Sequence, residues 1–172
     1  MRGTLVTTAI ACTCAALSAT PASAQTRADY AAQVNPICAE ASDEAERIIK
    51  KTNFKNPKLT SKGLRRLDRL SERTIDALEA VPPPPADVAL AGAWIQSLRQ
   101  LNELGDRAAR ATVSLLRQFR RPSPSGGRVR ALVRRLKQLR RRSNDEVSEG
   151  SAHATQLGAT GCTGGDAPAL QP

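Results

Sequence analysis

Aromatic side chains are scarce in this chain: 172 residues hold one Trp, one Tyr and two Phe. β-Sandwiches and barrels fill their strands with β-branched and aromatic residues, so that architecture is disfavoured. Histidine is scarcer still, with His153 alone. One imidazole leaves most zinc ligand sets incomplete and removes His-based catalytic pairs. The four Cys include no C-x-x-C pair, which excludes the usual dithiol redox motif. There is no G-x-S-x-G elbow, and Gly126-Gly127 stands without the rest of a phosphate loop. No catalytic residue, metal site or cofactor is therefore expected. The length suits one domain, or two small ones. Ala, Leu and Arg are plentiful, which suits an all-α protein.

Residues 1–24 read as an address. Arg2 is followed by an uncharged apolar run from Leu5 to Leu17, then Pro21 and Ala22-Ser23-Ala24. These are the parts of a secretory signal peptide, with cleavage expected between Ala24 and Gln25. A membrane anchor would need about 20 apolar residues, and this run is shorter. A lipoprotein would use Cys12 or Cys14, but Ala9-Ile10-Ala11 and Thr13 before them match that processing poorly. The mature chain is expected to be secreted or extracytoplasmic, without a transmembrane span.

Three breaks divide the remainder: residues 52–60, the four prolines 82–85 and residues 120–127. Between them lie four segments of helical period. Residues 28–51 carry Tyr30, Val34, Ile37, Ala41, Ala45 and Ile48 on one stripe. Asn35-Pro36 inside it reads as an N-cap and first-turn proline, which places the regular helix from Pro36 onward. Residues 61–81 carry Leu64, Leu67, Ser71, Thr74, Leu78 and Val81. The stripe of residues 86–119 runs from Ala91 and Trp94 to Leu115 and Phe119. That of residues 128–157 runs from Val129, Leu132, Leu136 and Leu139 through Ser143 and Val147 to Leu157. Ser143 and Glu146 also form a capping-box pattern, which would break this last helix. Gly158 suits a stop. Residues 163–172 read as a flexible tail.

Four amphipathic segments with short links predict an antiparallel up-down-up-down four-helix bundle over residues 25–162. That topology puts the start of the first helix and the end of the fourth at one pole. Cys38 lies near the first and Cys162 just past the second. An exported chain meets an oxidising compartment, so a Cys38–Cys162 disulfide is the leading reading. Free buried thiols or an intermolecular link are the alternatives.

Three stretches carry a resemblance. They are Tyr30-Ala31-Ala32 with Ile37-Cys38-Ala39, the prolines 82–85 before Ala86 and Trp94, and Leu157-Gly158-Ala159-Thr160-Gly161-Cys162. Together they resemble a loose group of small exported helical proteins of high-GC Gram-positive bacteria. The resemblance implies an exported helical domain with one disulfide and transfers no activity.

Charge is unevenly spread. Lys plus Arg number 26 against 16 Asp plus Glu, a net +10. In the expected bundle, residues 47–70 (net +8) and 104–142 (net +12) share one pole. Residues 25–46, 71–103 and 143–172 carry −4, −3 and −4. The poles are thus +20 and −11. Residues 117–142 hold eleven basic side chains and no acid. Arg128, Arg130, Arg134, Arg135, Lys137, Arg141 and Arg142 fall off the apolar stripe. They are the candidate contact with anionic lipid headgroups, an anionic wall polymer or an acidic protein. A solvated helix face is the plainer reading. Specific nucleic-acid binding is not expected, because the basic run lacks interleaved aromatics. His153 and the carboxylates Asp43, Glu44, Glu46, Asp145, Glu146 and Glu149 read as solvated faces and caps. The functional expectation is an exported, non-enzymatic protein of the envelope. A carrier of a small apolar ligand in the bundle core and a hydrolase without recognisable motif are the alternatives.

Overall fold

The computed structural model describes residues 25–163. The expected signal peptide, with Cys12, Cys14 and Ala24, and the expected tail beyond Thr163 lie outside the described residues. Among these the chain is all-helical, with α1 at Arg27–Lys51, α2 at Pro57–Glu79, α3 at Val88–Phe119 and α4 at Gly126–Gln156. Two 3₁₀ turns, Pro85–Asp87 and Thr160–Cys162, complete it.

Each start has a local cause. Thr26 caps α1 in a capping box: its hydroxyl accepts from Asp29 N at 3.2 Å, and Asp29 Oδ2 accepts from Thr26 N at 3.0 Å. The Thr26 hydroxyl also donates to Asp29 Oδ2 at 2.7 Å, and this bond, with that from Thr26 N, holds the Asp29 carboxyl below its ordinary value. The helix then runs unbroken through Pro36, which corrects the expected start there. A proline inside a helix costs about 3 kcal/mol or more. The turn before it offsets this by burying Tyr30 and Val34 completely, at 1 % and 0 % exposure. Asn35 is not a cap: its Oδ1 accepts from Gly161 N at 3.0 Å and holds the C-terminal turn instead.

The second helix begins four residues before the expected Ser61. Asn56 is the cap, accepting from Lys58 N at 3.0 Å, and Pro57 is the first helical residue. Ser125 caps α4, accepting from Arg128 N at 3.4 Å. No break occurs at Ser143. Glu146 does not reach back to it, because its carboxylate turns to α3. There it lies beside the Gln100 amide, which, turned so that its NH2 faces the carboxylate, donates to both Glu146 oxygens at 2.8 and 2.9 Å.

The end of α4 follows the sequence closely. Gly158 has φ 76°, its N–H donates to Thr155 O at 3.0 Å, and Ala159 N donates to Ala154 O at 2.8 Å. This is a Schellman motif with glycine in the left-handed position. It turns the chain so that Thr160–Cys162 lies against α1. Cys38 and Cys162 are joined, with Cα atoms 5.2 Å apart and 124 residues between them in sequence.

Helix α1 packs on α2, α2 on α3, and α3 on α4, the last interface being the most extensive. Backbones of α1 and α4 do not approach each other; the Thr160–Cys162 turn is their link. Tyr30, Val34, Leu78, Trp94, Ala154 and Leu157 are the centre of the core. They come from the start of α1, the end of α2, the start of α3 and the end of α4. In the other half of the molecule, only Leu139 of α4's first 24 residues is buried.

Arg27 fastens the start of α1 to the turn before α3. Its Nε and Nη2 donate to Asp87 Oδ2 and Oδ1 at 2.7 and 2.5 Å. The Asp87 side chain is only 7 % exposed. These hydrogen bonds and the guanidinium charge hold its carboxyl below the ordinary carboxylate value. A folded pKa below the unfolded one stabilises the fold above the unfolded pKa of about 4. That stabilisation fades as pH falls through the folded value. Asp87→Asn is thus expected to lower stability at neutral pH and flatten the acid limb below about pH 4. Chemical denaturation from pH 2 to 7 measures this; parallel curves for variant and wild type would contradict it.

Gly63 sets how closely α2 approaches the end of α1. A Cβ there would land on the Thr52 side chain, including its branched Cβ at 3.0 Å. Thr52 cannot swing away freely, since its hydroxyl donates to Ile48 O at 2.7 Å. Gly63→Ala is expected to cost about 1–3 kcal/mol despite alanine's higher helix propensity. An unchanged or higher melting temperature would show that the corner yields.

Candidate functional site

The basic residues of α4 sort into lines by helical period. At 100° per residue, Arg130, Arg134, Lys137 and Arg141 follow steps of four, three and four, and so share one line. It lies opposite Leu132 and Leu139, which face the protein. Arg128, Arg135 and Arg142 recur every seven residues and form a second line on one flank. Arg140 stands on the other flank. All eight are exposed, whereas Leu139 is buried and Leu132 and Leu136 are half-buried. The seven residues expected to point outward therefore do so.

Ion pairing is confined to other parts of the molecule. Among the described residues the pairs are Arg27–Asp87, Lys50–Glu46, Arg73–Glu44, Arg99–Glu79, Arg107–Glu103 and Arg110–Asp106. None uses a cation between residues 117 and 142. Arg120 instead donates to a backbone carbonyl, Lys55 O, at 3.0 Å. That bond joins the link before α4 to the link between α1 and α2. Lys51, Lys55, Lys58, Arg117, Arg120 and Arg121 are all exposed around this junction. Unneutralised charges at such density produce a positive potential that draws anions toward this end.

No family model, curated protein or solved structure matches this chain.

Chemistry must therefore be read from the residues alone. No helix among the described residues is long and apolar enough to cross a membrane. No three His, Cys, Asp or Glu side chains gather there as a metal site would need. His153 is half-buried in the last turn of α4. A cleft of about 640 Å³ lies between α2 and α3. Leu64, Leu67, Leu101 and Val113 line it together with Arg65, Asp68 and Asp106. A second cleft, about 410 Å³, opens beside Trp94 and is lined by Ala45, Leu70, Ile75, Leu78 and Leu98; it is the more apolar of the two and the place where an apolar ligand would sit. Gln25, the expected first mature residue, precedes α1 and is half-buried.

Sequence periodicity misplaced two apolar side chains. Phe119, expected to pack, is 61 % exposed, and Val147 is 46 % exposed. On α3 the buried residues Ser97, Leu104, Ala111 and Gln118 recur every seven positions and form a second packed edge. Ser97 faces Gly150, whose added Cβ would lie 3.5 Å from Ser97 Cβ. A seven-residue seam drifts relative to a straight 3.6-residue helix. Following it would have put Gln118 inside and Phe119 outside, and on α4 Glu146 in place of Val147.

Proposed function

We propose that this chain is an exported, non-enzymatic protein that attaches to an anionic surface of the envelope through its basic end. The proposed architecture is the up-down-up-down bundle, with α1 and α3 antiparallel to α2 and α4. The contact of Ser97 with Gly150 and the Arg120–Lys55 bond support that order. Export is supported by the signal-like residues 1–24 and by the single disulfide.

One observation carries the functional reading. Eight cations of α4 are exposed, and none has an acidic partner among the described residues. A surface evolved only for solubility commonly mixes both signs and stays patch-free. Here the signs are separated, so the charge is available to a polyanion. The test is retention of the purified oxidised protein on anionic vesicles and on purified wall material. Retention should fall steeply between low salt and about 0.5 M, where the screening length is only a few ångströms. Absent or salt-indifferent retention on both would refute the reading.

A further inference from the structure

The basic end carries exposed apolar side chains as well as charge. Phe54 is 44 % exposed, Leu59 45 % and Phe119 61 %. Phe54 lies in the link between α1 and α2, Leu59 in the first turn of α2, and Phe119 at the end of α3. The Arg120–Lys55 hydrogen bond connects the residues that directly follow the two phenylalanines. It therefore brings both Phe backbones to one tip. Lys55, Lys58, Arg120 and Arg121 stand exposed at that tip. Both Phe residues of the chain are found there.

We propose that this tip docks end-on to an anionic lipid bilayer. Phe54, Leu59 and Phe119 enter the boundary between headgroups and acyl chains. Lys55, Lys58, Arg120 and Arg121 lie among the phosphates. The proposal rests on the anionic-surface reading above and names lipid as the surface. Apolar tips ringed by Lys and Arg are what an interfacial anchor needs. A hydrated wall polymer complements the cations but offers the phenyl rings nothing apolar. An acidic protein would need a shaped apolar socket. A bilayer supplies both an anionic layer and an apolar layer beneath it. The long stems of Lys and Arg allow their charges to stay at headgroup level while the rings go deeper. The links of both helical hairpins meet at this tip through the Arg120–Lys55 bond, so an exposed ring from each lies at the same end.

The experiment compares vesicles of phosphatidylglycerol and phosphatidylcholine, vesicles of phosphatidylcholine alone, and soluble polyphosphate. Wild-type protein should bind the mixed vesicles and the polyphosphate, and much less the neutral vesicles. Phe54→Ser with Phe119→Ser should weaken binding to the mixed vesicles about a hundredfold, roughly tenfold per ring. Polyphosphate binding should not change. Because Phe119 is mostly exposed and Phe54 nearly half so, the variant should stay folded with at most a modest fall in melting temperature. A second readout uses Phe119→Trp. The native Trp94 is fully buried and gives a steady background. The new indole should shift to shorter wavelength on the mixed vesicles and be quenched by brominated acyl chains. Unweakened vesicle binding by the double variant, with no spectral shift in the Trp variant, would overturn end-on insertion. If salt-sensitive binding persists in that case, the anionic-surface reading survives without lipid insertion. Failure of both vesicles and polyphosphate to bind wild-type protein would remove both proposals.

Discussion

Changing Arg130, Arg134, Lys137 and Arg141 together to Gln is expected to weaken binding to anionic vesicles about thirtyfold at low salt, because end-on docking holds Arg130 and Arg134 near the headgroups while Lys137 and Arg141 stand about 16 and 22 Å up the helix. Each cation near an anionic bilayer contributes on the order of 1 kcal/mol, and 1.4 kcal/mol is a factor of ten. These four share the outward line of α4, so none has a packing role to lose. Stability should move the other way. Pairs three and four residues apart on a helix are neighbours, and like charges there repel by about 0.2–0.5 kcal/mol each. Arg130–Arg134, Arg134–Lys137 and Lys137–Arg141 are three such pairs. Gln has nearly the helix propensity of Arg and Lys, so the variant should melt at the same temperature or slightly higher. A control variant with Lys50, Arg73 and Arg99 changed to Gln should bind almost as wild type. Those cations already face Glu46, Glu44 and Glu79. Equal losses in the two variants would mean that net charge, not the α4 line, governs attachment. A large loss of stability in the first would mean that the line is structural.

The largest effect on stability is expected from the disulfide. Replacing Cys38 and Cys162 with Ser should cost about 4–5 kcal/mol, from the loop closure it imposes on the unfolded chain. Domains of this kind have only about 5–15 kcal/mol in total. The position of the bond makes the loss more than entropic. The α1 and α4 backbones are linked through the Thr160–Cys162 turn and do not otherwise approach each other. Freeing that turn exposes Leu157 and Ala159, both wholly buried, and uncovers Tyr30 and Val34. Urea unfolding with and without reductant measures the effect on wild type, and the double Ser variant repeats it without reductant. The midpoint should fall sharply in both. A shift below about 1 kcal/mol would mean that the noncovalent contacts of the turn suffice.

The helices and the cysteine pairing were legible because they rest on long-range regularities: an apolar period, and two cysteines near the start of the first helix and just past the end of the last. Boundaries depended on finer competition. Asn-Pro occurs twice, at Asn35-Pro36 and Asn56-Pro57. The first is interior to a helix, and the second begins one. The dipeptide is identical, but its upstream context differs. Tyr30 and Val34 continue the apolar stripe before Pro36, and their burial outweighs the lost hydrogen bond. Residues 52–55 offer no such stripe, so the cap prevails. Ser143 shows the same rule: a local capping pattern yields where Glu146 has a partner on another helix. The candidate contact face was legible because charge spacing alone sets the lines on α4. The exposed phenylalanines were not, because Phe119 fits a 3.6-residue stripe that the seven-residue seam with α4 overrides. Phe54 sits in a link without periodicity, where no pattern marks its exposure.

Core and disulfide share one end of the molecule, and the repelling cations occupy the other. The free energy of local opening is therefore unequal along the axis. Amide hydrogens near Tyr30, Trp94 and Leu157 should exchange only when the clamped end comes apart, and those in the first turns of α4 through cheap, local fraying. The basic end can thus adjust its helices while the clamped end keeps its packing, and the anionic surface proposed for it would quiet that end by neutralising what drives it apart.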